Sequence, residues 1–213
     1  MDIEIPYSAE LKRKAVHLSS LWMVAFTLLM PRYFSCGRWI ACAVFAGLLL
    51  LTLVSEHSYA RKGKYLGRLY GIIFGKMLRK EVTPDMWVVS GGAPVLAAAL
   101  MVNLIFPAPV AAVSLTVMLI GDTAAALIGR KFGRHKAPNG KSWEGVAAFV
   151  FCGYGALALV SFLAGTAGIF YLAGIPAVLL AAAAELFEKQ LHLDDNFTIP
   201  MCVGLVITAA LFL

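Results

Sequence analysis

VAAVSLTVMLIGDTAAALIGRKFGRHKAPNGKSWEG, residues 110–145, decides the fold. Its first third is apolar, and no charged residue stands between Asp85 and Asp122. That run is longer than the ~18 residues that mark a membrane-spanning helix. Charge then arrives at once. Asp122 is followed by Arg130, Lys131, Arg134, Lys136 and Lys141 in a glycine-bearing loop, and a new apolar run starts after Glu144.

The rest of the chain repeats this alternation. The 213 residues are 61% hydrophobic and 14% charged, with mean hydropathy +0.82, whereas soluble domains carry about a quarter charged residues. The expected class is all-α, a polytopic integral membrane protein with about seven transmembrane helices. Spans are predicted near 15–31, 39–54, 86–105, 108–129, 146–164, 169–187 and 197–213. The uncharged stretch after Glu144 is too long for one crossing and is broken at the glycines of Ala164–Gly168. Six spans result if the first segment only lies in the interface. Residues 1–213 read as a single transmembrane domain. The start is not a signal peptide, since acidic residues precede its basic cluster and no cleavage site follows a short apolar region.

All the cationic residues except Arg32 and Arg38 fall in loops on one side. The positive-inside rule makes that side, and the N-terminus, cytoplasmic. All twelve acidic residues lie on the same side or at its membrane edge, so chemistry that needs carboxylates faces the cytoplasm. Cys36, Cys42, Cys152 and Cys202 are scattered and read as small apolar fillers. AELKRKAVHL (residues 9–18) sets Lys14 and His17 on one helix face, and Arg13 shares a face with His17. YARKGKYLGRLYGIIFGKMLRKE (residues 59–81) mixes basic and apolar residues. It reads either as an amphipathic helix on anionic lipid or as a wall of a lipid-facing site.

Asp122 is the first candidate for chemistry. A charge within a span costs about 2.5–3.5 kcal/mol on insertion scales and signals function; the plainer alternative is a packing aspartate paired with an arginine. Gly121, Ala125, Gly129 and Gly133 recur every four residues, which alone describes a helix-packing face. The loop that follows adds cations for phosphate charge, glycines that let backbone approach phosphate, and Ser142 as an N-cap of a helix whose start suits an anion. Carboxylate, basic loop and helix start read together as a nucleoside triphosphate site. A basic loop obeying positive-inside is the alternative. GKS at residues 140–142 is not a P-loop, because His135 stands where that motif requires glycine. HExxH, GxSxG and GxGxxG are absent from the sequence. Glu185, Glu188, Asp194 and Asp195 form acidic pairs able to share a metal or activate a hydroxyl; a solvated loop with acids near a helix start is equally consistent. His57, His135 and His192 read as surface residues, and His17 as the exception.

At these residues the chain resembles the CTP-dependent lipid-alcohol kinases, a family of dolichol, phytol and CTP-dependent diacylglycerol kinases distantly related to phosphatidate cytidylyltransferases. The resemblance rests on GDTAAALIGRKFG with GKSWEG, on RKAVH at Arg13–His17, LRKE at Leu78–Glu81, FP at Phe106–Pro107 and DDNFTIP at Asp194–Pro200. It implies a magnesium-dependent transfer of the CTP γ-phosphoryl group to a lipid alcohol in the bilayer, with no nucleic-acid partner. Carried over by position, Asp122 holds Mg2+ and Gly129 sits in the nucleotide turn. Lys141 and Ser142 contact phosphates, with Arg130, Lys131, Gly133 and Glu144 on the same CTP-binding side. Arg13, Lys14 and His17 join the site, and Asp195 is a second metal or base position. The chain is shorter than eukaryotic dolichol kinases and so resembles a minimal catalytic unit. Two rival readings are a cytidylyltransferase, and a transporter or scaffold using Asp122 for ion coupling. Asp122→Asn is expected to abolish turnover with the fold intact, and Lys141→Ala to raise the KM for CTP.

Overall fold

A computed structural model describes residues 7–75, 78, 82–87, 90–191 and 193–212. His192 and Arg79–Glu81 of the LRKE motif lie outside the described residues. The described residues are helical, with no named strand: α1 (Tyr7–Ser19), α2 (Trp22–Tyr33), α3 (Gly37–Ala60), α4 (Leu66–Phe74), α5 (Gly92–Ile105), α6 (Ala108–Phe132), α7 (Trp143–Ala164), α8 (Ile169–Leu186), α9 (Glu188–Leu191) and α10 (Asp195–Leu211).

Five helices are long and apolar enough to cross a membrane: Glu10–Tyr33, Gly37–Ala60, Ala108–Phe132, Trp143–Ala164 and Ile169–Leu186. The first runs through α1 and α2 across a break at residues 20–21. Two further apolar helices, α5 and α10, are shorter, with 14 and 17 residues. At 1.5 Å per residue they reach about 21 and 26 Å, short of the ~30 Å hydrocarbon core. Within the span expected over 86–105, α5 begins at Gly92, where the Ser90 hydroxyl receives the Gly92 amide at 3.0 Å. The break predicted near Ala164–Gly168 is present. Gly165 closes α7 in the left-handed region, φ 65°, which glycine enters without strain.

α6 is the central helix. Every residue from Val110 to Leu119 is buried, as expected of a helix that is apolar all round. It packs against α7, α10, α2, α1 and α5, while α8 closes on α10 and α7, and α3 on α5, α2 and α4. The small-residue stripe makes the α6–α7 contact close. A Cβ on Gly121 would stand 3.0 Å from the Phe149 ring, and one on Gly145 would stand 3.3 Å from Gly129 Cα. At the far end of α5, Arg38 donates from Nε to the Asn103 carbonyl at 2.7 Å and from Nη2 to the Leu104 carbonyl at 2.5 Å. A cation there satisfies carbonyls that the helix leaves open.

Candidate active site

The site is built where α1, the C-terminal half of α6, the α6–α7 loop and the start of α10 meet. Lys14 Nζ lies 2.5 Å from Asp122 Oδ2, with Lys14 1% and Asp122 10% exposed along their side chains. His17 Nε2 lies 3.3 Å from the same oxygen. It makes no hydrogen bond there, although it is buried. The helical spacing of Lys14 and His17 thus brings both to one carboxylate. Arg13 turns to Glu10, with Nη2 2.6 Å from Oε1, and Arg130 Nη1 lies 3.7 Å from Glu10 Oε2. Glu10 is fully buried and ties α1 to the end of α6.

A second group adjoins the first. Lys141 Nζ lies 2.7 Å from Glu185 Oε1 and 3.5 Å from Glu188 Oε2, and also donates to the Glu185 carbonyl. Burial works against the Lys141 charge, but the Glu185 carboxylate, with Asp195 and Glu188, holds its pKa above the ordinary 10.5. Asp195 interacts electrostatically with Asp122, Glu188, Asp194 and Lys14, and with Arg13 and Lys141. It therefore belongs to both groups. Asp194 caps α10, accepting the Asn196 amide at 3.0 Å, and the Asn196 side chain donates to Asp195 Oδ1 at 3.1 Å.

The loop residues are held as follows. Gly129 is not in a turn. It lies in the last full turn of α6, which continues to Phe132, because the α6–α7 crossing needs a small residue under Ser142 and Gly145. Gly133 ends α6, its amide bonded to the Gly129 carbonyl at 3.1 Å. A Cβ at Gly133 would collide with that carbonyl oxygen and stand 2.6 Å from Ser142 Oγ. Ser142 caps α7 as its residue type predicts, accepting the Gly145 amide at 3.2 Å. Glu144 accepts from the His135 amide at 3.1 Å and meets His135 Nδ1 at 2.7 Å, on the exposed side of the loop. Lys131 is exposed, its Nζ 5.2 Å from the Phe132 ring centre. Arg13, Lys14, His17, Asp122, Lys141 and Asp195 thus come together, Arg130 joins through Glu10, and Gly129, Gly133, Ser142, Glu144 and Lys131 shape or flank the loop.

Two residues escaped the sequence reading. Glu10 looked like one acid of an interfacial helix, although Arg13 three residues on was a signal for its pairing. Asn139 sits at φ 69° and donates to the Leu186 carbonyl at 2.7 Å, holding the loop to the end of α8. Asparagine before glycine is a turn signal, but its partner was not readable. His57 is half-buried rather than a surface residue, its ring stacked on Trp87 at 3.8 Å.

The arrangement offers a buried lysine and half-buried cations beside carboxylates, and an imidazole nitrogen that lacks a hydrogen bond. That set suits binding and positioning of phosphate groups. Among the described residues, no group of three or more His, Cys, Asp or Glu is placed to hold a metal by itself.

The chain is similar to a phytol kinase of Synechocystis, 28% identical over 96% of this chain and 81% of the relative. It is 34% identical to a probable chloroplastic phytol kinase of wheat, over 50% of this chain and 39% of the relative. An uncharacterized protein of Rickettsia prowazekii is 28% identical over 92% of this chain and 91% of its own length. No protein-family profile matches the chain, and no solved structure matches it. The chain is thus similar, at modest identity, to proteins named as phytol kinases, and it is all-helical with helices long and apolar enough to cross a membrane.

Proposed function

We propose that this chain is a kinase that transfers the γ-phosphoryl group of CTP, with Mg2+, to the hydroxyl of a membrane lipid alcohol of phytol, polyprenol or diacylglycerol type. It works as a single polytopic domain with seven spans, its N-terminus and its site at the cytoplasmic face. The observation that carries the reading is the buried Lys14–Asp122 contact, with His17 Nε2 3.3 Å from the same carboxylate and without a hydrogen bond. The similarity to a phytol kinase over 96% of the chain supports the class of acceptor.

The residues fit Mg2+ in the way nucleotide enzymes hold it. Magnesium is usually bound by one or two carboxylates plus substrate phosphates, not by a protein cage. Asp122 and Asp195, which feel one another's charge, are the carboxylates that would hold it. Bound there, it would offset charge on the phosphate oxygens. Lys14 then exchanges part of its contact with Asp122 for phosphate, and Arg13 lies one residue away to do the same. His17 Nε2 accepts the proton of the lipid hydroxyl as its oxygen bonds to the γ-phosphorus. The bond from that phosphorus to the β–γ bridging oxygen breaks, giving CDP and a lipid phosphate. Lys141 leaves Glu185 for the nucleotide, which requires an ion-pair exchange on binding.

The test uses purified protein in detergent–lipid micelles with Mg2+ and CTP labelled at the γ or, separately, the α position. Acceptors are phytol, farnesol, a polyprenol, diacylglycerol and phosphatidate, with an excess of ATP as competitor. Label from the γ position in an alcohol lipid is the expected result. α label in a phosphatidate product means a cytidylyltransferase. No lipid label from folded protein turns the reading to a transporter or scaffold. The topology is checked at the exposed Cys36, which a membrane-impermeant maleimide added outside the cell should label.

A further inference from the structure

We propose that the α3–α4 turn is a binding site for the phosphate headgroup of an anionic membrane phospholipid, separate from the candidate active site. The turn borders an open surface groove of about 780 Å³, whose cations are Lys62, Lys64 and Arg68 and whose aromatic walls are Tyr59 and Tyr65. Among the described residues, no acidic side chain lines it. The three cations are exposed, and none has an ion-pair partner among the described residues. Three unneutralised cations around one hollow are complementary to a phosphate.

The local fold builds the hollow and turns it toward lipid. α4 lies close on the end of α3 because Gly67 and Gly71 face it: a Cβ there would stand 2.6 Å from the Ser58 carbonyl oxygen and 2.7 Å from the Tyr59 ring. The Gly67 amide donates to Ser58 Oγ at 3.1 Å. Tyr70, on the same face of α4, is buried with its hydroxyl 3.0 Å from Glu56 Oε1, and Ser90 donates to that oxygen at 2.5 Å. The opposite face stays uncovered: Leu69 is 56% and Ile72 73% exposed. An apolar stripe beside basic residues is the pattern of a helix lying in the membrane interface. Acyl chains cover the stripe while the headgroup enters the basic hollow. The occupant is a lipid rather than a soluble anion, because the apolar face and the cations belong to one nine-residue helix and its turn.

The test is native mass spectrometry of the purified full chain in detergent, titrated with dioleoyl phosphatidylglycerol or dioleoyl phosphatidylcholine. Phosphatidylglycerol should bind about tenfold more tightly, and K62Q/K64Q/R68Q should remove that preference, since each cation near an anionic surface contributes measurably. R32Q, on a distant exposed cation, should leave it unchanged. Equal loss in R32Q, or a preference kept within twofold in the triple variant, would overturn the site. Glycerol 3-phosphate that competes at lipid concentrations would make it a soluble-anion site and overturn the lipid assignment. Ile72→Ser should weaken both lipids equally; no change would remove the apolar stripe from the argument. Kinase assays play no part in these readouts, so the site stands or falls apart from the proposed reaction.

Discussion

Lys14 and Asp122 are 108 positions apart in the chain and meet at 2.5 Å in a buried contact. Each is the partner that lets the other be buried. Breaking a buried pair by removing one side leaves an uncompensated charge and costs about 3–5 kcal/mol.

Asp122→Asn should therefore lose activity and also stability. Lys14→Met should behave alike. The double variant should recover more than half of the lost stability and none of the activity. Unfolding in detergent, followed by a double-mutant cycle, measures this; strictly additive single effects would mean that the contact carries no coupling.

Gly133→Ala should lower stability by about 1–3 kcal/mol, as overpacking does, because its Cβ would strike the Gly129 carbonyl and Ser142. Gly155→Ala, in mid-α7 with nothing within 4 Å, should be neutral or stabilising by up to about 1 kcal/mol. Thermal melts of the two variants side by side decide it. Equal effects would mean that the α6–α7 loop yields freely.

Lys141 carries a pH signature. Its pKa in the fold lies above 10.5 through Glu185, despite burial. A raised pKa contributes stability that is fully present below the unfolded value and is lost as pH rises through the folded one. The stability difference between wild type and Lys141→Met should stay flat from about pH 7 to 9 and shrink above about 10.5. Chemical unfolding at several pH values reads it directly; a difference that grows with alkali would contradict the assignment. The same variant should raise the KM for CTP.

Glu10→Gln should reduce turnover several-fold with a smaller change in melting temperature, because Arg13 and Arg130 both lean on this carboxylate. Glu10→Asp should rescue part of it by keeping the charge. A loss that tracks unfolding in every variant would leave Glu10 a purely structural residue.

Much of the architecture was legible in local order. Apolar runs of the right length give helices whatever their neighbours, so α3, α6, α7 and α8 appear near their predicted places. Gly165 as a break and Ser142 as a cap follow from backbone sterics and local hydrogen bonding. The start of α5 did not follow, because composition does not show that the Ser90 hydroxyl receives the Gly92 amide. The site was legible as a set of residue types and hidden as a set of contacts. RKAVH showed a shared face, but its partner on α6 lies more than a hundred residues away.

The sequence by itself determined an all-helical chain with helices long and apolar enough to cross a membrane, because the cost of burying charge in lipid acts residue by residue. Tertiary structure alone decided which charges meet. It paired Lys14 with Asp122, Lys141 with Glu185, and Glu10 with Arg13 and Arg130, and it left Lys62, Lys64 and Arg68 around an open hollow. Apart from the helical Glu10–Arg13 pair, ion pairing is set by distance in space, and only packing of the helices fixes that distance.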